Sequence, residues 1–376
     1  MSNFAFGTYK ISEHNPAHIS ALKEAINSGI TMIDTSSNYM NGSSERAIAI
    51  ALREFDDEVQ ENIEIISKYK LNQDFDEQLN ISKENLQKDI IDCYLIETPE
   101  EFLVEAVKNG LSKDDRLDDV YAKLFDAFLD LELAVKNKKI LSYGISSDAL
   151  ALNQSSEYFL PYEDFLTLAQ DACTEIGNEK HSFTTIQLPI NILEQEGLKC
   201  TSWAKKNSLR VLSNRALNAY KDGLMFRLAD YDESREYYHY LNELLEVSDN
   251  DTLISLYNLL QELDDKKHKY GWIGDYESFL ATEIIPHMKK SLENLDEENL
   301  ETILRYIDMF LTEYKKMVEY ECSRNTRVAL KEIFKECHNL MQECALRFLM
   351  QRESIDFIIV GMRKPSYVNE IVALLD

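Results

Sequence analysis

The sequence predicts a closed (β/α)8 barrel, a TIM barrel, that carries a large helical insertion after its seventh strand. Eight short apolar runs of strand character alternate with longer stretches in which apolar residues recur three and four apart. That rhythm builds parallel sheets. A barrel of eight such units takes roughly 250 residues, and the chain has 376. The surplus collects between about residues 220 and 325, which are acidic, helical in pattern and without a strand candidate.

In chain order, β-branched and apolar enrichment places strands at 4–8, 31–34, 63–68, 90–96, 140–146, 184–188, 210–213 and 355–360. Helical spacing fills the gaps, as at 18–27 and at 124–136, where Leu124, Phe128, Leu131 and Val135 share a face. In the insertion, Leu253, Leu256, Leu260 and Leu263 repeat the pattern, as do Leu300, Ile303, Ile307 and Leu311. The expected division is therefore 1–219 for seven barrel strands, 220–325 for the helical insertion and 326–376 for the last strand and helix. A smaller insertion at 100–119 follows the fourth strand. Both leave from the carboxyl ends of strands, the face on which barrel active sites are built, so each is expected to be either a cap or a solvated appendage.

Composition narrows the partners. The chain holds 67 acidic against 40 basic residues, a formal net charge of −27. Such a surface repels nucleic acid and anionic membranes. No run approaches the roughly 18 apolar residues of a membrane span, and no basic segment precedes an apolar one at the amino terminus. A soluble, cytoplasmic protein is expected. The six cysteines, Cys93, Cys173, Cys200, Cys322, Cys337 and Cys344, show no metal-binding spacing and are expected to be reduced. No metal site is expected.

The strand ends carry the chemistry. Asp34 closes the second strand, Tyr39 follows it, Lys68 closes the third and Glu97 follows the fourth. In a barrel these four converge on one pocket. A lysine ammonium beside a tyrosine lowers the phenol's pKa, and an aspartate keeps that ammonium charged and in place. A tyrosine tuned this way can protonate a carbonyl oxygen while hydride reaches the carbon.

Around these positions the sequence resembles the aldo-keto reductases. Residues 21–39, from Ala21 through Asp34 to Tyr39, with Asn41-Gly-Ser-Ser-Glu45, are similar to that family's signature. Ile65-Ile-Ser-Lys68, Asp92-Cys-Tyr-Leu-Ile-Glu-Thr-Pro99, Lys139 to Ser146, Ile186 to Asn191 and Ile359 to Pro365 follow in the family's order, and the resemblance spans about 4–215 and 340–376. It implies that Tyr39 is the proton donor, Lys68 its activator and Asp34 the partner of Lys68. The family's fourth position, normally His, is Glu97 here. A carboxylic acid in a closed pocket tends to be protonated, and family members with Glu there reduce enone double bonds. Three readings follow: an enone reductase, a carbonyl reductase of altered preference, or a barrel without activity.

The resemblance also implies NADP(H) as cofactor. Gly7 and Thr8 fall on the family's first strand, Asp34 on the second, and Ser146 and Gln187 on the positions that hold the nicotinamide carboxamide. Ser213 and Arg215 align with the loop along the pyrophosphate. Gly361, Arg363 and Lys364 align with the 2′-phosphate site, and Glu370 with the adenine. Departures stand at Ser147 and Ile371, where the family commonly has Asn. The implied substrate is a small carbonyl or enone compound. The rival expectation is a non-catalytic barrel that senses a nucleotide or binds a protein partner through the acidic insertion. Within that insertion Tyr270, Trp272 and Tyr276 form an aromatic cluster that could pack it or meet a substrate.

Overall fold

The computed structural model describes residues 3–293, 295 and 297–375. The chain opens with β1 (Asn3–Gly7), α1 (Pro16–Asn27), β2 (Met32–Asp34), α2 (Ser43–Leu52), α3 (Asp57–Asn62), β3 (Glu64–Tyr69), α4 (Phe75–Leu86) and β4 (Ile91–Glu97). It continues through α5 (Glu101–Lys108), α6 (Lys113–Lys136), β5 (Ile140–Ser146), α7 (Phe165–Ile176), β6 (Phe183–Pro189), α8 (Leu198–Lys206) and β7 (Arg210–Asn214). After a hairpin, β8 (Asn218–Lys221) and β9 (Leu224–Arg227), come α9 (Tyr237–Ser248), α10 (Ile254–Lys266), α11 (Ile273–Phe279), α12 (Ile285–Ser291) and α13 (Glu297–Ala329). The chain closes with α14 (Met341–Met350), β10 (Phe357–Gly361) and α15 (Pro365–Val372).

Eight strands form a closed barrel in the order β1-β10-β7-β6-β5-β4-β3-β2, every neighbouring pair parallel. These are the eight strands expected from the sequence, with ends shifted by a residue or two. The barrel interior packs Ala5, Met32, Ile66, Cys93, Leu95 and Leu212. Burying a side chain the size of Leu or Ile contributes about 1.5–3 kcal/mol. Local signals start the helices: the Asn15 side chain accepts from the Ala17 N–H at 3.0 Å, with Pro16 at the first turn of α1, and Asp74 accepts from the Glu77 N–H at 2.8 Å to begin α4. Gly144 sits where β5 crosses closest to β6, and a Cβ there would stand 2.0 Å from the Thr185 carbonyl oxygen. Glycine is required by that approach, which coincides with a register shift at Tyr143/Gly144.

The chain divides into two compact units, Met1–Ala216 with Leu346–Asp376, and Leu217–Ala345. The first is the barrel. The second is built on α9, α10 and α13, whose apolar stripes bring Tyr237, Leu241, Leu256, Leu260, Phe310 and Tyr314 into one core. Within it the Arg327 guanidinium holds Asp230 with two bonds, of 2.6 and 2.5 Å, and Asp230 also accepts from the Met341 N–H at 2.7 Å. Trp272 lies against its own Gly274, where a Cβ would meet the indole nitrogen at 2.0 Å.

Two expectations are corrected in this unit. The stretch expected to lack strands contains the antiparallel hairpin β8-β9. Asp222 and Gly223 form its turn with φ of 52° and 81°, the two left-handed residues that suit a tight hairpin. The six thiols expected to be reduced are four: Cys337 and Cys344 are joined by a disulfide, with Cα atoms 6.2 Å apart, and Cys93, Cys173, Cys200 and Cys322 are free and buried. Cys337 lies in the segment between α13 and α14, and Cys344 is in the first turn of α14.

Candidate active site

The site is assembled from consecutive strand ends. β2 delivers Asp34, β3 delivers Lys68 and β4 delivers Glu97, side by side in the barrel order. After β2 the backbone runs through Met40 (φ 50°), Asn41 (φ 54°) and Gly42 (φ 78°) before entering α2. That left-handed run follows directly on Tyr39, whose ring packs edge-on against Tyr9 at 5.2 Å.

Lys68 is fully buried, and its ammonium makes three hydrogen bonds. It donates to Asp34 Oδ1 at 2.6 Å, to the Thr35 carbonyl at 2.8 Å and to the Tyr39 hydroxyl at 3.2 Å. An ammonium has three protons, so all are placed. Because the Tyr39 oxygen accepts from Lys68, its own proton remains to be given elsewhere.

Burial alone would pull the Lys68 ammonium below its ordinary value, but Asp34, Tyr39 and Glu97 around it raise it overall, and it stays charged. The Tyr39 hydroxyl is raised above the ordinary tyrosine value: burial pushes it up, Lys68 pulls it down, and Asp34 and Glu97 add to the rise. The expectation that Lys68 leaves Tyr39 with a lowered pKa is thereby corrected. Lys68 acts in that direction, and burial outweighs it.

Glu97 Oε2 accepts from the Ser36 hydroxyl at 3.2 Å and from the Asn38 side-chain amide at 3.3 Å. Just after it, Thr98 has φ of 52°. Glu100, nearly as close to the strand end, accepts from the Ser147 hydroxyl at 2.7 Å and from the Asp148 N–H at 2.9 Å, and burial raises its carboxyl. Ser147 thus spends its hydroxyl on Glu100.

Beyond Asp34 the row continues. Gln187 donates its side-chain N–H to Asp34 Oδ1 at 2.6 Å and accepts from the Ser146 hydroxyl at 2.7 Å. Ser146, Gln187, Asp34 and Lys68 are all buried.

Other predicted site residues are placed differently. Thr8 donates its hydroxyl to the Asp34 backbone carbonyl at 2.9 Å, and Ser213 donates to the Ile190 carbonyl at 3.0 Å, so both side chains are used within the barrel frame. Gly7 and Gly361 face each other in register between β1 and β10. Arg215, expected along a pyrophosphate, donates to Asp148 at 3.0 Å and to Glu194. Arg363 and Lys364 lie at the start of α15, where Lys364 stands 5.6 Å over the Tyr367 ring. His18 on α1 is held below its ordinary value by burial and then by the Arg363 charge. Glu370 is exposed on α15, and Ile371 is a buried core residue.

Sequence reasoning missed Tyr9, Ser36, Asn38, Glu100, Asp148 and Glu194. Tyr9 and Glu100 stand just past strand ends, the position that could have drawn attention to them.

A closed parallel barrel with a buried aspartate and lysine joined to a half-buried tyrosine at its carboxyl rim has the architecture of a barrel enzyme. Residues 3–162 match the model of the aldo/keto reductase family. No curated protein matches the sequence. Among solved structures, the chain is similar to an aldo/keto reductase from Klebsiella pneumoniae in complex with NADP and acetate, at 13% identity over 99% of this chain and 85% of that one, with a TM-score of 0.49. An aldo-keto reductase from Bacillus halodurans, in its holo form, also gives 13% identity and a TM-score of 0.49, over 100% of this chain and 86% of that one. A second Klebsiella pneumoniae aldo-keto reductase, in complex with NADPH, is 21% identical over 57% of this chain and 63% of that one, with a TM-score of 0.38.

Proposed function

We propose that this chain is an NADP-dependent oxidoreductase that reduces a carbonyl group, or the double bond of an enone, with Tyr39 as the acid. The observation that carries the reading is the Lys68 ammonium shared between Asp34 and the Tyr39 hydroxyl.

The residues present fit a dinucleotide. Ser146 and Gln187 offer a buried hydroxyl and a primary amide suited to a carboxamide. Three buried polar atoms without a protein partner, Thr35 Oγ1, Asn214 Oδ1 and Arg215 Nε, lie at the carboxyl ends of β2 and β7. Arg363, which makes no ion pair among the described residues, and Lys364 supply positive charge for a 2′-phosphate in an otherwise acidic chain.

When bound, the nicotinamide supplies a hydride. Tyr39 then gives its proton to the substrate oxygen as negative charge develops there, and Lys68 donates to the phenolate that remains. Asp34 keeps the ammonium charged and aimed. The raised pKa of Tyr39 keeps the acid loaded until that charge appears. Glu97, with Oε2 tethered by Ser36 and Asn38, is left with Oε1 for the substrate.

The test is NADPH oxidation over a panel of aldehydes, ketones and enones. Wild type is expected to turn over one of these classes. Tyr39→Phe should lose about 10²–10⁴ in kcat while still binding NADPH. Undiminished turnover by Tyr39→Phe would remove Tyr39 from the mechanism. A second reading, a non-catalytic barrel that binds a protein partner through its acidic insertion, draws support from Arg215, which is held by Asp148 and Glu194. It expects no turnover on the whole panel and partner binding that depends on residues 220–325.

A further inference from the structure

One hydrogen-bonded row runs across the barrel mouth, from Ser146 on β5 to Gln187 on β6, then to Asp34 on β2 and Lys68 on β3, all buried, and on to the half-buried Tyr39. Its links are 2.7, 2.6, 2.6 and 3.2 Å long. Gln187 is 1% exposed, so it holds its partners without competition from solvent.

The amide of Gln187 has two N–H donors and an oxygen with two lone pairs. One N–H is committed to Asp34 and one lone pair to Ser146, which leaves one donor and one acceptor. That remainder is the complement of a primary carboxamide. Gln187 can therefore hold Asp34 and a carboxamide at once.

Resting on the reductase reading above, we propose that Gln187 is a positioning residue for the proton donor as well as a seat for the cofactor: through Asp34 it fixes the Lys68 ammonium on Tyr39. Asp34 Oδ1 takes both the Lys68 and the Gln187 hydrogen bonds on the same oxygen. Two donors on one oxygen fix the carboxylate's rotation about its bond to Cβ, and that rotation sets where the ammonium stands. The seat of the hydride donor and the seat of the acid are in this way one rigid unit, and a loss at Gln187 is felt at Tyr39 three residues further along the row.

The experiment is a double-mutant cycle of Gln187→Leu and Asp34→Asn on the full-length protein. It is read by thermal unfolding without nucleotide, by NADPH affinity from fluorescence titration, and by the solvent isotope effect on reduction. The two substitutions should be non-additive in unfolding, since Asp34→Asn already removes the charge that Gln187 holds. Gln187→Leu should weaken NADPH about tenfold, as loss of one hydrogen bond does, and should enlarge the solvent isotope effect because proton transfer becomes slower. Gln187→Glu, which keeps side-chain length and polarity, gives a second measure should Gln187→Leu not fold. The new carboxylate would face Asp34, so Asp34→Asn should restore part of the stability that Gln187→Glu loses. Additive unfolding, or an unchanged solvent isotope effect alongside weakened NADPH, overturns the positioning role and leaves the reductase reading intact. Wild-type protein that binds no NADPH overturns that reading itself, whatever the unfolding cycle shows.

Discussion

The Lys68 ammonium donates to the Tyr39 hydroxyl at 3.2 Å while its other two protons are held by Asp34 and the Thr35 carbonyl. The tyrosine is thereby an acceptor from lysine and a donor toward the pocket.

Removing Asp34's charge leaves Lys68 as an uncompensated cation in the barrel interior. Asp34→Ala should destabilise the barrel by about 3–5 kcal/mol. Denaturant unfolding followed by circular dichroism checks this, and an unchanged midpoint would mean that solvent reaches Lys68.

Alkali should titrate the tyrosines late. Tyr39, Tyr94 and Tyr143 in the barrel and Tyr237 and Tyr314 in the helical unit are all raised, in each case first by burial. Lys68 is raised as well, its carboxylate and phenol neighbours outweighing its burial. A raised folded-state pKa contributes stability that is complete below the unfolded value, about 10 for tyrosine and about 10.4 for lysine. It is lost as pH climbs from there through the folded value. The protein should therefore lose stability above about pH 10, and absorbance of these phenolates should appear together with unfolding. Full phenolate absorbance in a protein that is still folded would contradict the burial argument.

Thiol counting tests the cystine. Denatured protein without reductant should show four reactive thiols, and reduced denatured protein six, because Cys337 and Cys344 are bonded while four cysteines are free. Six thiols without reductant would return the chain to the fully reduced state expected from its sequence.

At β5, Gly144→Ala would press a methyl group into the Thr185 backbone. Overpacking of side chains costs about 1–3 kcal/mol, and backbone yields less readily, so a cost at or above the top of that range is expected. A melting temperature equal to wild type would show that β5 and β6 can part.

Much of this was legible in the sequence, and for a physical reason. Strand ends in a barrel converge whatever the loops do, so Asp34, Lys68 and Glu97 could be brought together from strand positions alone, and a short turn carried Tyr39 to them. Loop side chains have no such constraint. Nothing in the order of residues says that Glu100 turns to Ser147, or that Arg215 meets Asp148 and Glu194. The net direction at Tyr39 was likewise hidden, because it is the balance of burial against one nearby cation. The β8-β9 hairpin was different: Asp222-Gly223 between Tyr220 and Leu224 is a readable turn signal, submerged in a stretch dominated by helical periodicity.

The central claim is tested most directly by titrating the purified protein with NADPH and NADH while following the fluorescence of Trp203 and Trp272. The account predicts micromolar binding with NADPH preferred. Arg363→Ala should erase most of that preference, a change of about ten- to a hundredfold for a charge-assisted contact. Binding of neither nucleotide would contradict it.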